Sequence, residues 1–322
     1  MRRLLTTFLV LILLGGALAA GGLAALSRAQ APGPLEAART LNVPRGTPAE
    51  IGTLLAEAGI VPSAIGFRAA ALVTMGKGPI RAGEFTFPDH VSLLATLAIL
   101  RSGKPVQHKL TIPEGLTAAQ IAQLLDRAPA LDGDTPVPNE GEAMPETYAY
   151  TYGTTRTALL DRARAAMDRN LARVWSSRDP NLPLATPSDL LTLASIVERE
   201  TSRPEERAHV AGVFLNRLRL RMRLQSDPTT AYAVTGGLLT NDRGLTKADL
   251  DSPNPYNTYT APALPPGPIA SPGLASMQAV AKPLATDDLY FVADGNGGHV
   301  FAKTLEDHNK NVAIWRAANP PK

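Results

Sequence analysis

Thr186-Pro-Ser-Asp-Leu-Leu-Thr-Leu-Ala-Ser-Ile-Val-Glu-Arg-Glu-Thr201 is the stretch on which the fold turns. A threonine cap, a proline at the first helical position and an acid three residues on predict a helix start, and the helix reads on about as far as Thr201. On a 3.6-residue wheel, Leu190, Leu191, Leu193, Ala194, Ile196 and Val197 form one apolar arc that must face a core. Two carboxylates sit at its end. Glu198 projects between Leu191 and Ala194, inside the arc, and Glu200 falls on the other flank near Leu193 and Ile196. Residues two apart point nearly opposite ways, so the pair cannot close across one ligand. A carboxyl against apolar surface has its pKa raised and can stay protonated at neutral pH, as a general acid requires. The plainer alternative is an ion pair with one of the nearby arginines, and the wheel does not choose between the two glutamates.

Working outward, a second helix is expected from near Pro204, carrying Val210, Val213, Phe214 and Leu218. Arg217-Leu-Arg-Leu-Arg-Met-Arg-Leu224 alternates charge with apolar residues, which fits a half-buried strand or an extended helix exit; a solvated face is the plainer reading than a groove for an anionic polymer. Leu289–Ala293 and His299–Ala302 flank Asp294-Gly-Asn-Gly-Gly298, a hairpin signal that lacks the ligand spacing and following helix of a calcium or phosphate loop. On the N-terminal side, Thr157–Val174 is an amphipathic helix. The turn-rich stretch 132–141 reads as a hinge. Leu41-Asn-Val-Pro-Arg-Gly46 and Leu110-Thr-Ile-Pro-Glu-Gly115 echo each other about 70 residues apart, each a short strand, a turn and a helix. With helical patterns over Pro62–Met75 and Val91–Leu100 and a strand over Ile80–Phe87, the block 40–103 is expected to be a β-α-α-β-α module.

The N-terminus speaks to compartment. Leu4–Leu26 holds 23 uncharged residues between Arg2-Arg3 and Arg28, roughly 34 Å as a helix and enough to cross a bilayer core of about 30 Å. Ala17-Leu18-Ala19 resembles a signal-peptide cleavage site, but the apolar run continues past it, so the reading is an uncleaved single span with a cytoplasmic N-terminus. The division expected is 1–3 cytoplasmic, 4–26 transmembrane, 27–39 linker, 40–103 small module, 104–139 second strand-helix unit and hinge, and 140–322 the larger domain, all α+β after the span. The 322 residues contain no cysteine, which removes disulfides, thiol nucleophiles and thiolate metal sites. A net charge of +3, from 32 basic and 29 acidic residues, is too balanced for a nucleic-acid footprint. Five histidines without a His-Glu-x-x-His pattern leave no metal or cofactor implied.

Leu193-Ala-Ser-Ile-Val-Glu-Arg-Glu-Thr201, Val213-Phe-Leu-Asn-Arg-Leu218 and Leu224-Gln-Ser-Asp-Pro-Thr229, followed by Tyr256-Asn-Thr-Tyr259, Leu264-Pro-Pro-Gly-Pro-Ile-Ala-Ser-Pro-Gly273, Tyr290-Phe-Val-Ala-Asp-Gly295, Gly298-His299 and His308-Asn309, resemble in order the endolytic murein transglycosylase, or YceG-like, family. The resemblance implies an enzyme of the inner membrane, catalytic domain in the periplasm, that cleaves nascent peptidoglycan strands. It implies a LysM-like, peptidoglycan-binding 40–103 module and peptidoglycan synthases as partners. It maps the family's catalytic glutamate onto the first acid of Ile-Val-Glu, Glu198, and puts Gln225, Ser226, Asp227, Asn257 and Tyr259 along the cleft. Arg221 stands where the family commonly has glycine and Glu146 where aspartate is frequent, and the first questions the turn leaving the second helix. The reaction expected is cleavage without water, one acid serving also as base to leave a 1,6-anhydro end. The alternatives are a hydrolase using Glu198 and Asp227, or a non-catalytic peptidoglycan-binding scaffold.

Overall fold

The structure is a computed structural model that describes residues 2–237 and 244–319. Its contacts divide the chain into two compact units. One holds residues up to His108 with Thr151–Gly153, and the other holds Lys109–Tyr150 and the chain from Thr154 on.

In the first unit, α1 (Arg2–Gln30) is one helix. Its Thr7–Gln30 portion is long and apolar enough to cross a membrane by length and composition. It continues through Ser27–Gln30, which the sequence pattern assigned to a linker, because no breaker occurs before Pro32 and Pro34. Then follow β1 (Arg39–Val43), α2 (Pro48–Glu57), α3 (Ala64–Val73), β2 (Gly83–Phe87) and α4 (Leu93–Ser102), the expected β-α-α-β-α order. Strands β1 and β2 pair antiparallel, Leu41 opposite Phe85. The helices close over the sheet through Ile51, Leu55, Phe67, Leu97 and Leu100, all buried.

The second unit opens at Lys109, within β3 (His108–Thr111), and continues with α5 (Ala118–Arg127), then β4 (Leu131–Asp132), β5 (Thr147–Tyr150) and β6 (Thr154–Thr155). Strand β3 pairs with β5, and β4 runs parallel to β6. Of the stretch 104–139, read as a second strand-helix unit and hinge, the part from Lys109 on is therefore built into the larger unit. Leu110, Ile112, Ile121 and Leu125 share a core with Tyr148, Leu159 and Leu160, a long-range burial that the polar turn residues at 132–141 do not announce. The two echoing segments share their local chemistry: Thr47 with Glu50 and Thr117 with Gln120 each form a capping box at the start of α2 and α5.

The rest is mostly helical: α6 (Arg156–Ser176), α7 (Pro187–Glu200), α8 (Arg207–Arg219), α9 (Asp227–Thr235), α10 (Lys247–Asp251) and α11 (Leu274–Ala281). The antiparallel hairpin β7 (Tyr290–Ala293) and β8 (His299–Ala302) and α12 (Leu305–Ala318) complete it. Helix α7 is the hub and packs on α6, α8, α9 and α11. Of the apolar arc read from the wheel, Leu190, Leu193, Ala194, Ile196 and Val197 are fully buried and Leu191 is partly buried against the same core. Fully burying one such side chain contributes about 1.5–3 kcal/mol, so this face fixes the helix firmly.

Candidate active site

Helix α7 begins as its sequence dictates. Thr186 accepts from the Asp189 N–H at 3.2 Å, and the Asp189 carboxylate accepts in return from the Thr186 N–H at 2.9 Å. Buried Ser195 accepts the Ile269 N–H at 3.0 Å, tying the proline-rich 261–273 loop to the helix. The two glutamates at its far end meet different surroundings.

Glu198 is locked. Its side chain is 6% exposed and both oxygens are engaged: Oε2 accepts the Gly273 N–H at 2.9 Å, and Oε1 accepts from Arg207 at 3.3 Å. The same Arg207 nitrogen lies 3.5 Å from Glu114. The approach is close enough that a Cβ on Gly273 would lie 1.8 Å from Glu114 Oε1. Burial and the nearby Glu198 charge push the Glu114 carboxyl up, with Arg207 opposing. This is a charge-paired anchor that fastens α7 to the start of α11.

Glu200 faces the polar cluster. Ser226 donates to its Oε2 at 2.7 Å, while Oε1 has no hydrogen-bond partner among the described residues. Burial pushes its carboxyl up to about 7, against the Ser226 hydrogen bond; the Asp227 charge adds to the rise, and His299 and Arg217 oppose it. A carboxyl raised to near neutrality can both give a proton and take one back.

The residues expected along the cleft gather on this side. Gln225 donates its N–H to the Thr258 carbonyl at 3.2 Å, and the Ser226 N–H donates to the Thr258 hydroxyl at 3.0 Å. Tyr259 donates its hydroxyl to Asp227 Oδ1 at 2.7 Å, and burial together with that bond pushes the phenol up. Asp227 is exposed and Tyr259 half-buried, so both can meet a ligand. Asn257 cannot. It is fully buried, its amide donating to the carbonyls of Asp249, Leu250 and Ser252, and it builds the loop rather than lining it. Ser226 is also buried, its hydroxyl turned to Glu200.

Behind Gln225 stands Arg217, which alternation assigned to a strand or helix exit. It lies in the last turn of α8, buried, donating to the carbonyls of Leu289 at 2.6 Å and Leu224 at 2.8 Å. The helix then ends in a Schellman turn. Met222 donates to the Arg217 carbonyl at 2.8 Å and Arg221 to that of Leu218 at 3.1 Å, with Arg221 left-handed at φ 54°. The arginine thus adopts the backbone that a glycine would favour there. Gln225 is left-handed too, at φ 49°, a strained backbone one residue before Ser226, which bonds Glu200.

The sequence pattern did not single out Glu114, Arg207 or Glu206. Glu206 binds His299 twice, by its N–H at 3.0 Å and by its ring Nδ1 at 2.8 Å. The Gly298-His299 pair was the available signal for that contact.

Comparisons with known proteins agree with one another. The profile of the YceG-like family matches residues 41–314. Proteins named endolytic murein transglycosylase from two strains of Streptococcus pneumoniae are 34% identical over 85% of this chain and 58% of their own length. One of the same name from Bacillus subtilis is 39% identical over 54% of this chain and 47% of its own. The chain thus spans about half the length of these curated relatives. The crystal structure of a YceG-like protein from Listeria monocytogenes is similar with a TM-score of 0.54 and 29% identity, over 85% of this chain and 98% of that one. The mixed α+β fold is shared with it.

Proposed function

The chain belongs to the YceG-like family, and on that premise we propose that it is a lytic transglycosylase of peptidoglycan whose reacting carboxyl is Glu200. The observation that carries the assignment is the contrast between the two glutamates. Glu198 has both oxygens bound, one by a guanidinium, whereas burial pushes the Glu200 carboxyl up to about 7 and its Oε1 has no hydrogen-bond partner among the described residues. The family resemblance on the sequence alone favoured Glu198, and the geometry favours its neighbour two residues on.

Protonated Glu200 gives its proton to the oxygen linking the N-acetylmuramic acid and N-acetylglucosamine units, and the C1–O bond breaks through an oxocarbenium-like state. The resulting carboxylate removes the proton of the muramic acid C6 hydroxyl, whose oxygen bonds to C1 and closes the 1,6-anhydro ring. No water is consumed and the carboxyl regains its proton. Asp227 and Tyr259 face the sugar and orient it, while Ser226 holds Oε2 so that Oε1 carries the exchanging proton.

Helix α1 serves as a single-pass anchor in the inner membrane, with the rest of the chain in the periplasm. Its apolar length and the Arg2-Arg3 pair support this. The β-α-α-β core of the first unit supports a LysM-like module that holds glycan, and peptidoglycan synthases are the partners such an enzyme would trim behind. A hydrolase with Asp227 as base on a water has one observation in its favour, that Asp227 lies close enough for its charge to raise Glu200. Mass spectrometry of glycan products from purified peptidoglycan treated with the full chain in detergent separates the readings. Strands ending in 1,6-anhydromuramic acid are expected. Reducing ends, heavier by one water, would mean hydrolysis, and intact glycan bound without cleavage would mean a scaffold.

A further inference from the structure

Helix α3 breaks a rule that its neighbour α2 keeps. The solvent side of α2 carries Ala49, Glu50, Thr53 and Glu57, a largely polar stripe opposite buried Ile51 and Leu55. Helix α3 turns Phe67 and Ala71 into the core, and its outward stripe is Ile65, Arg68, Ala69, Leu72 and Val73, spaced i, i+3, i+4, i+7 and i+8. Ile65 is 82% exposed, Leu72 67%, Val73 85%, and Met75 just beyond the helix 69%. On a 3.6-residue wheel the four apolar residues of the stripe are contiguous and Arg68 stands at one edge. The stripe is firmly held. Ser63 accepts the Gly66 N–H at 3.3 Å, and Arg101 of α4 donates to the Ala71 carbonyl at 3.1 Å and the Thr74 hydroxyl at 2.7 Å. A helix that is apolar on both faces has a second apolar medium to meet.

The end of α1 brings that medium close. Ala29 packs against the core of the small module, three residues and about 4.5 Å of helix past Leu26, where the uncharged run ends. The chain is then fastened at once. Gly33 donates its N–H to the His90 carbonyl at 3.1 Å, and a Cβ on it would lie 3.3 Å from the Ile60 carbonyl oxygen, three residues before the Ser63 cap of α3. Leu35 is already part of the core. A headgroup layer is roughly 5–7 Å deep on each side of a bilayer, so a module tied this near the end of a span sits at the membrane surface without a free linker. Charge agrees with that placement. No acid occurs between Ala58 and Gly83, whereas Arg68, Lys77 and Arg81 do. We propose that the outward face of α3, with Ile65, Ala69, Leu72 and Val73 and with Met75 beyond it, lies in the interface of an anionic bilayer as a second membrane contact of the chain. The apolar side chains enter the acyl boundary while Arg68 extends to the headgroups. The inference rests on α1 as the membrane anchor, and it holds the small module on the leaflet instead of leaving it to swing from the span.

The chain has no cysteine, so Ile65→Cys, Val73→Cys and, on α2, Thr53→Cys each accept a single nitroxide label. The test reconstitutes each labelled full chain into vesicles of phosphatidylethanolamine and phosphatidylglycerol. Electron paramagnetic resonance then reads access to oxygen, which collects in the bilayer, against access to a water-soluble nickel chelate. The oxygen-to-nickel ratio is expected to be several-fold higher at positions 65 and 73 than at 53. Equal, water-like ratios at all three overturn the proposal. Dipolar broadening at 65 or 73 that disappears on dilution with unlabelled chain would make the face a contact between copies. Nickel access that falls only when soluble glycan fragments are added would make it a glycan surface. Either result overturns the bilayer as occupant. Release of the chain by alkaline carbonate would instead overturn the anchor on which the inference rests. Should a labelled variant fail to fold, the unsubstituted chain answers the question in vesicles carrying a lipid with a photoreactive group near its headgroup. Lipid adducts are expected on the tryptic peptide 69–77 as well as on α1, and adducts on α1 without any on 69–77 would overturn the proposal equally.

Discussion

Replacing Glu200 by glutamine should stabilise the protein, and the gain should grow with pH. In the unfolded chain the carboxyl titrates near 4.5, and in the folded one burial pushes it up to about 7. The native state therefore binds the proton more tightly. Its contribution to stability is full below pH 4.5 and is lost as pH climbs through 7. Working the two values through the linkage relation, the penalty for ionising Glu200 is below about 1 kcal/mol at pH 5 and about 3 kcal/mol at pH 8. Glutamine keeps the volume and still accepts from Ser226 but carries no charge, so it escapes the penalty. Thermal melts of the full chain in detergent, followed by circular dichroism at pH 5, 6, 7 and 8, read the difference. The variant should gain about 2.5 kcal/mol on the wild type between pH 5 and pH 8, or about 5–10 °C in midpoint for a unit of this size. A gap that stays constant across this range would refute the account of the Glu200 environment. A variant that loses ground at pH 8 would mean an ordinary, favourably paired carboxylate.

Other substitutions probe neighbouring parts of the fold. Arg221→Gly should stabilise the larger unit by about 0.5–1 kcal/mol in urea unfolding, because the left-handed backbone at φ 54° suits glycine better than any side chain. Gly212→Ala should do the opposite by about 1–3 kcal/mol, since its Cβ would lie 2.7 Å from the Leu284 carbonyl oxygen, a backbone atom that cannot swing aside. Glu198→Gln should destabilise the larger unit by about 1–3 kcal/mol in urea unfolding through the weakened Arg207 and Gly273 contacts, while the glycan products keep the same ends. Alkaline carbonate washing of membranes should leave the full chain in the pellet if Thr7–Gln30 spans the bilayer.

Much of the scaffold could be read locally because its signals are local. Thr186, Pro187 and Asp189 define the start of α7 within four residues, and the Asp294–Gly298 run turns one strand back on the next. The choice between Glu198 and Glu200 was of another kind. Both end the same apolar helix, and what separates them arrives from far along the chain: Gly273 from 75 residues away, Ser226 from 26 and Arg207 from 9. No spacing rule carries that information. Arg217 misled for a related reason. Alternating arginines look like a solvated face, but one of the four enters the interior because carbonyls of Leu224 and Leu289 need a donor there. Asn257 was placed in the cleft by its motif, and its burial shows that a conspicuous polar residue can be structural when three carbonyls converge on it.

The central claim, that Glu200 and not Glu198 is the reacting carboxyl, is tested most directly by digesting one peptidoglycan preparation with Glu200→Gln and Glu198→Gln side by side. Anhydro ends should be quantified by mass spectrometry at a temperature where both variants are folded. Loss of anhydro ends with Glu200→Gln and their retention with Glu198→Gln is the predicted result. The reverse pattern would contradict the account and return the acid to Glu198.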